Sequence, residues 1–158
     1  MIREAQEEEL RCLRAIANHQ FRADIGEKLF PRGVLLKISK RTGRPREVLT
    51  SSGEVIVTLR PSTFTFNLTL YSGRIIHACT EPPKLRVVVV NEVANDVKLG
   101  GSVFARHILR VDEELRAGDE VIIVDEDDRF LCVGRLVLSP YEIMHFIRGP
   151  AAKLRECV

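Results

Sequence analysis

Apolar residues recur at helical spacing in the first twenty positions of the chain. Glutamates at positions 4 and 7–9 precede Arg11 and Arg14, an order of charge that suits the dipole of a helix. The pattern predicts a helix over residues 3–20, with one face formed by Ala5, Leu10, Leu13, Ile16 and Ala17.

A second, short helix is expected to begin at Asp24. Its carboxylate is placed to cap the first turn, and Glu27 follows three residues later as the partner in a capping box. Pro31 is expected to end this helix, because proline cannot continue it. The segment Pro31-Arg32-Gly33 then forms a turn.

After this turn the spacing of apolar residues changes from helical to alternating. Residues 34–38, 54–59 and 64–70 alternate in this way, which predicts three half-buried strands. Turn-forming residues at 42–45 and 51–53 separate the strands, so an antiparallel sheet is expected. Residues 72–79 are compatible with a short helix capped by Ser72 or with another strand, because β-branched residues follow the serine.

The tandem prolines Pro82 and Pro83 predict a linker, because proline stiffens the chain and forbids helix on either side. Beyond them, short strands and tight turns indicate a small barrel, with a helical segment at 92–98. Ser139-Pro140 is a strong helix start, Gly149-Pro150 ends that helix, and a last strand near 152–155 closes the sheet. The predicted fold class is α+β, with a small α+β domain over residues 1–83 and a mixed β-barrel with short helices over 84–158.

The distribution of charge points to a polyanionic partner, although the net charge is only +2. Between positions 32 and 46 there are six basic residues and no acidic one, which creates a local positive field. Such a run is usually a solvated face, but here it contains no acid that would pair with the cations. We therefore interpret five of its residues as candidate RNA contacts: Lys37, Lys40, Arg41, Arg44 and Arg46.

The chain shows no motif for catalysis, a metal or a cofactor. It contains no Ser/His/Asp order, no nucleophile elbow and no phosphate-binding glycine fingerprint, so no catalytic residue is predicted. The four cysteines lie far apart without paired spacing, which argues against structural zinc. Each thiol is expected to be a small core or near-surface residue, while remote disulfides stay open. Residues 125–128 are expected to form a solvated, repelling hairpin tip and not a calcium site.

Nothing in the chain indicates a membrane. The amino terminus is acidic and amphipathic, without the apolar segment of a signal peptide. No run approaches the roughly 18 apolar residues of a membrane span. A cytoplasmic protein with no membrane partner is therefore expected.

Several short motifs in the second half follow a familiar order: Gly100-Gly101-Ser102-Val103-Phe104-Ala105, Leu115-Arg116-Ala117-Gly118-Asp119-Glu120-Val121, Leu138-Ser139 and Gly149. Their order and spacing resemble the PUA domain over residues 86–158. Residues 27–31, 42–46 and 58–61 resemble the segment that precedes this domain in archaeal tRNA-guanine (archaeosine) transglycosylase. The catalytic aspartate and zinc site of that family belong to a separate domain that has no counterpart here, so no catalytic residue is carried over.

The resemblance implies a non-catalytic protein that binds structured RNA, above all tRNA, in or alongside tRNA modification. It also implies that a catalytic transglycosylase subunit is a partner, if the chain is the RNA-binding part of a split enzyme. The PUA domain binds RNA through a glycine-containing loop and its neighbouring strand. Here that surface corresponds to Lys98, Gly100, Gly101, Ser102, Arg106 and His107.

Two further expectations accompany the PUA resemblance. Lys153 and Arg155 alternate on the closing strand and could extend the track of phosphate contacts, although a solvated edge strand favours the same charges. Phe104 is expected in the core, because it stands in an apolar strand. The alternative function is a protein–protein interaction module in RNA modification or ribosome assembly, docking through Ile143, Met144 and Phe146.

Overall fold

The computed structural model describes residues 1–145 and 148–158, which form two compact units, Met1–Cys79 and Thr80–Val158. The first unit contains a five-stranded antiparallel sheet in the order β1-β2-β3-β4-β5. Its elements are β1 Ile2–Glu4, α1 Glu7–Phe21, α2 Gly26–Leu29, β2 Leu35–Ile38, β3 Pro45–Leu49, β4 Val55–Leu59, β5 Phe66–Leu68 and α3 Leu70–Cys79.

The two amino-terminal helices begin later than the sequence pattern predicted. Residues 2–4 pair with β2 as an edge strand, so α1 begins only at Glu7. Asp24 does not cap α2, whose preceding residue is Ile25. Instead Asn18 of α1 accepts hydrogen bonds from the backbone N–H groups of Ile25 and Gly26, at 2.9 and 2.7 Å. The cap therefore comes from a neighbouring helix, which local spacing cannot reveal.

The antiparallel sheet is confirmed, with one strand that the alternation missed. Strand β3 carries mostly polar residues at its start, so it lacks the apolar alternation of its neighbours, yet it pairs with both β2 and β4. The ambiguous segment after β5 is a helix, α3, and Thr69 stands immediately before its first residue. The Thr69 hydroxyl accepts the backbone N–H of Ser72 at 3.4 Å, so the capping residue is Thr69 and not Ser72.

One face of α1 covers the core of the first unit, where Leu10, Leu13, Ala17 and Phe21 are buried. Gln20 joins this helix to β5 through two hydrogen bonds. Its side-chain amide donates to the Phe66 carbonyl at 2.9 Å, and its side-chain oxygen accepts the Phe66 N–H at 2.8 Å. The helix therefore satisfies the backbone of an edge strand as well as burying apolar surface.

The second unit is a mixed sheet that curls into a half-barrel, as expected for a PUA domain. Its strand order is β7-β11-β10-β9-β6-β8, and only the β6–β9 pair among the described strands of this sheet is parallel. Its elements are β6 Arg86–Val89, α4 Ala94–Val97, β7 Ser102–Phe104, β8 Ile108–Val111, β9 Glu120–Val124, β10 Phe130–Leu136, α5 Pro140–His145 and β11 Pro150–Cys157, with 3₁₀ turns at Asn91–Val93 and Ala105–His107.

The predicted start of α5 is confirmed. Ser139 accepts the Glu142 N–H on its hydroxyl at 3.2 Å, and Glu142 accepts the Ser139 N–H at 3.0 Å. Hydrogen bonds to its carboxylate from the Ser139 backbone N–H and from the Ser139 side chain lower the pKa of Glu142. Across the described part of the chain, no helix is long and apolar enough to cross a membrane.

Strands β10 and β11 are joined by a disulfide between Cys132 and Cys157. Cys12 is exposed and Cys79 is half-buried, and both keep free thiols. The remote disulfide that the sequence left open is therefore present for two of the four cysteines, and Cys132 is buried in the core. Spacing could not pair them, because 25 positions separate the two residues and only the sheet brings them together.

The acidic tip between β9 and β10 is ordered and only partly solvated, which corrects the expectation of a repelling, solvated turn. Asp125 is buried, and one of its carboxylate oxygens accepts the N–H groups of Asp127 and Arg129, each at 2.9 Å. Asp128 lies 2.8 Å from the guanidinium of Arg86, which is 1% exposed. The tip therefore supplies a partner for a buried cation, which requires one.

Candidate nucleic-acid interface

The basic run of the first unit is displayed by the β2–β3 hairpin. Ser39 orders the turn, because its hydroxyl accepts the N–H groups of Arg41 and Thr42 at 3.3 and 3.4 Å. Its carbonyl accepts the N–H of Gly43 at 2.9 Å. Gly43 has a φ of 71°, a left-handed conformation that glycine adopts without steric cost.

A concave surface of about 640 Å³ lies between this hairpin and the β4–β5 turn. We call it the hairpin groove. Its lining includes one carboxylate, Glu47. The cations and the aromatic ring that line it are Lys37, Arg41, Arg44, Arg46, Arg60 and Phe64.

Most cations of the basic run are available to a ligand. Within the described residues, Arg41, Arg44 and Arg46 are exposed and form no ion pair, and the same holds for Lys40 at the tip of the hairpin. Lys37 differs, since its ammonium lies 3.6 Å from the carboxylate of Glu47. The sequence argument that this run lacks any acidic partner is therefore wrong for Lys37, because the hairpin places Glu47 directly opposite it on β3.

Two groove residues escaped the sequence analysis. Arg60 is half-buried, and its Nε donates to the side-chain oxygen of Asn67 at 2.6 Å. Phe64 was assigned to a strand, but β5 begins only at Phe66, and Phe64 lies in the turn with its side chain exposed. The sequence signal was Pro61-Ser62, which interrupts the alternation just before Phe64.

The predicted PUA surface centres on residues 98–102, which we call the glycine loop. Gly100 and Gly101 have φ values of 92° and 95°, so side chains with a Cβ are disfavoured at both positions. The carbonyl of Gly101 accepts the N–H of Leu154 at 2.9 Å, which anchors the loop to β11. Lys98 is exposed and has no ion-pair partner in the described part of the chain. The loop therefore presents backbone and one cation at a fixed edge of the sheet.

A cation and two rings follow the glycine loop. Phe104 is 41% exposed, which contradicts the expectation that it lies in the core. The reason is alternation along β7, where Val103 points inward and Phe104 points outward. The guanidinium carbon of Arg106 lies 5.6 Å from the centroid of the Phe104 ring, and the His107 ring meets that ring edge-on at 6.4 Å.

The two cations on β11 have different surroundings. Lys153 is exposed and pairs in register with Ser102, so the sheet brings it beside the glycine loop. Arg155 instead forms two hydrogen bonds with Glu120, whose side chain is fully buried, and one of these joins Nη2 to Oε2 at 2.8 Å. These hydrogen bonds raise the pKa of Arg155. A phosphate at Arg155 would have to compete with that ion pair.

The structure thus brings the predicted residues together in two clusters, one in each unit. The first cluster is the hairpin groove, which is lined by Lys37, Arg41, Arg44 and Arg46. The second is the glycine loop, which lies beside Lys153 and is followed along the chain by Arg106 and His107. Among the described residues, no group of three or more His, Cys, Asp and Glu side chains is arranged to hold a metal ion.

Comparison with known proteins assigns a domain to each unit. Residues 11–83 match the patch-forming domain C2 of tRNA-guanine transglycosylase, and residues 85–158 match the PUA domain. A tRNA-guanine(15) transglycosylase of Thermoplasma acidophilum is 38% identical over 93% of this chain, and that of Methanobrevibacter smithii is 36% identical over 94%. The chain spans 23% and 22% of the length of these two relatives.

The two-domain fold is also found in a solved structure. A hypothetical protein of Pyrococcus horikoshii has the same fold with a TM-score of 0.73 and 19% sequence identity. The similarity covers 99% of this chain and 94% of that protein.

Proposed function

The chain belongs to the PUA-domain proteins in which a patch-forming C2 domain of tRNA-guanine transglycosylase precedes the PUA domain, and from that premise we propose that it binds tRNA and serves tRNA modification without catalysing it. The observation that carries the proposal is the cluster of exposed, unpaired cations in the hairpin groove, of which Arg41, Arg44 and Arg46 are members. Proteins recognise structured RNA largely through phosphates, ribose hydroxyls and helix shape, so a cationic groove with polar neighbours suits this ligand.

The PUA domain supplies the second part of the proposed surface. The glycine loop offers exposed backbone, and Lys98, Arg106 and Lys153 add charge for phosphates. Ser102 adds a hydroxyl that can bond to a ribose oxygen. Both units then contribute to one RNA complex, with the broader positive charge coming from the first unit.

We further propose that the chain is the RNA-binding subunit of a split transglycosylase. The relatives are called transglycosylases, and this chain corresponds to about a quarter of their length, the part that carries the C2 and PUA domains. Among the described residues, no group of three or more His, Cys, Asp and Glu side chains could hold a catalytic metal ion. A catalytic transglycosylase subunit is the partner that this proposal requires.

The salt dependence of tRNA binding tests the RNA-binding proposal. The logarithm of the affinity should fall linearly with the logarithm of salt concentration, with a slope of about −0.7 to −0.9 per neutralised phosphate. The double variant Arg41→Glu/Arg44→Glu should bind about tenfold or more weakly and reduce this slope by about two. Arg11→Glu/Arg74→Glu makes the same charge change outside the groove and should bind as the unaltered chain does. Absence of tRNA binding at low salt would refute the proposal.

A second candidate function is the docking of a protein, and a groove of the PUA domain that exposes apolar side chains among charged ones favours it. Leu109, Tyr141 and Met144 are exposed and line a concave surface of about 650 Å³. Of the residues named for this role from the sequence, Ile143 is buried, Met144 is exposed and Phe146 lies outside the described residues. The docking alternative therefore depends more on Tyr141 and Leu109 than on the residues named from the sequence.

Size-exclusion chromatography with a catalytic transglycosylase subunit separates the two functions. A complex that survives ribonuclease and is lost in Leu109→Asp/Met144→Asp supports docking through this groove. A complex that disappears after ribonuclease treatment is bridged by RNA. Arg116→Asp, which makes the same charge change at an exposed position outside this groove and outside the proposed RNA surface, is the control for the added negative charge.

A further inference from the structure

The β4–β5 turn holds Phe64 in a backbone conformation that phenylalanine rarely adopts. Its φ is 58°, in the left-handed region where a bulky side chain meets steric resistance. The turn is closed by hydrogen bonds between the Phe64 N–H and the Arg60 carbonyl at 3.0 Å and between the Arg60 N–H and the Thr65 carbonyl at 2.9 Å. Strained residues of this kind cluster at ligand-binding sites, so the ring at this position calls for a functional explanation.

The strained backbone places an apolar ring at the edge of a cationic groove. Phe64 is 45% exposed and lines the hairpin groove together with Arg41, Arg44 and Arg46. No other aromatic ring in the described part of the chain stacks on it. An exposed ring beside unpaired guanidinium groups is the combination that binds single-stranded nucleic acid, because bases stack on rings while phosphates pair with cations.

The polar groups near the ring suit a base edge and a ribose. Thr58 lines the groove, and its hydroxyl accepts a hydrogen bond from Asn67 at 3.2 Å, which leaves the hydroxyl proton to donate. Arg60 is held by Asn67 at the groove wall. The groove volume of about 640 Å³ lies in the range of sites for small organic ligands, which is room enough for one nucleotide.

We propose that the hairpin groove holds an unpaired nucleotide of the bound RNA, with its base stacked on Phe64 and its phosphates on Arg41, Arg44 and Arg46. This inference rests on the proposed RNA binding and deepens it, because it assigns single-stranded nucleotides to the first unit. Recognition by stacking tolerates any base. The groove should therefore distinguish single-stranded from double-stranded RNA without preferring a base sequence.

Fluorescence of a short single-stranded RNA that contains 2-aminopurine tests this inference on the intact chain. Binding should quench the base analogue, and the same RNA annealed into a duplex should bind more weakly and without quenching. Phe64→Asn removes the ring but keeps a residue that tolerates the left-handed backbone. This variant should lose the quenching and bind the single strand about 5- to 100-fold more weakly, whereas Phe64→Tyr should retain both.

The control is Tyr141→Ala, which removes a still more exposed aromatic side chain, 72% against 45% for Phe64, from α5 in the other unit and should change neither signal. Unchanged quenching and affinity in Phe64→Asn would overturn the inference while leaving tRNA binding in place. If adenosine monophosphate at an equal nucleotide concentration displaces the bound single-stranded RNA, the groove is a site for free nucleotides. That result would overturn the assignment to RNA. Absence of binding to both tRNA and the single strand would remove the proposed function as well.

Discussion

Glu9 joins the start of a helix to the edge of a sheet. Its two carboxylate oxygens each accept a hydrogen bond from the Arg3 guanidinium at 2.7 Å, and one of them also accepts the Gln6 N–H at 2.9 Å. The bonds from Arg3, with that from Gln6, lower the pKa of Glu9 from 4.5 to about 2. Folding therefore favours the ionised carboxylate, and this contribution to stability exists above pH 4.5 and disappears as the pH falls toward 2.

The variant Glu9→Gln should lower the free energy of unfolding by about 0.5–1 kcal/mol at neutral pH, because the ion pair is partly exposed and the amide still accepts the Gln6 N–H. The difference from the unaltered chain should shrink as the pH falls from about 4.5 toward 2. Urea denaturation across this pH range measures it. Glu8→Gln, at a far more exposed position, is the control for removing one carboxylate from the first turn of α1. A difference that stays constant with pH would contradict the assigned cause.

Arg155 illustrates how a cation predicted to bind RNA can serve the core. Its partner Glu120 has a fully buried side chain, so removal of Arg155 leaves a carboxylate without its main counter-charge. Arg155→Met should cost roughly 2–4 kcal/mol of unfolding free energy, since Arg155 itself is partly exposed. Glu120→Leu/Arg155→Met should recover most of that loss.

Chemical denaturation measures these differences, and Lys153→Met on the same strand should change stability by less than about 0.5 kcal/mol. An equal effect of Arg155→Met and Lys153→Met would show that the ion pair contributes nothing. Binding data from Arg155 variants must accordingly be compared with their stability, because a weakened fold would also weaken RNA binding.

At the scale of elements, the closing strand β11 connects the edge strand β7 to the rest of the sheet in the PUA domain. It pairs with β10 along one side and with β7 along the other, and Cys157 is linked to Cys132 on β10. Gly134 on β10 permits this approach, because a side chain there would overlap the carbonyl oxygen of Lys153. The glycine loop is anchored to the same strand, so β11 holds both the core and the proposed RNA surface in register.

Reduction of the disulfide should lower the stability of the chain by about 3.5 kcal/mol, the value expected for closing a loop of 25 residues. Denaturation with and without dithiothreitol measures the effect. Cys12→Ser/Cys79→Ser, which removes the two free thiols, should behave as the unaltered chain in both conditions. If dithiothreitol leaves the unfolding midpoint unchanged, the link between β10 and β11 does not stabilise the fold.

At the scale of the whole molecule, the proposed RNA surface is divided between two domains. The hairpin groove lies in the first unit and the glycine loop in the second, and each has exposed cations without ion-pair partners in the described residues. An RNA that reaches both gains affinity from each, since the second contact becomes intramolecular once the first has formed.

Charge reversal in both domains tests this division. Arg41→Glu/Arg44→Glu and Lys98→Glu/Arg106→Glu should each weaken tRNA binding, and the fourfold variant should bind more weakly than either, with a salt slope reduced by about four. A short RNA that occupies one domain should respond to only one of the two pairs. If Arg41→Glu/Arg44→Glu leaves tRNA affinity unchanged, RNA binding belongs to the PUA domain alone. Arg11→Glu/Arg74→Glu remains the control for total charge.

The sequence by itself determined the α+β class, the antiparallel sheet, the start of α5 and the basic run, because these depend on the spacing of residues that are neighbours along the chain. The motifs around Gly100 and Gly101 also identified the PUA domain.

Tertiary structure alone decided which residues meet across elements. It paired Cys132 with Cys157, placed Glu47 opposite Lys37, engaged Arg155 with Glu120 and turned Phe64 toward the hairpin groove. The physical reason is that pairing and exposure depend on strand register and turn conformation, and both are set by packing between segments that lie far apart in the chain.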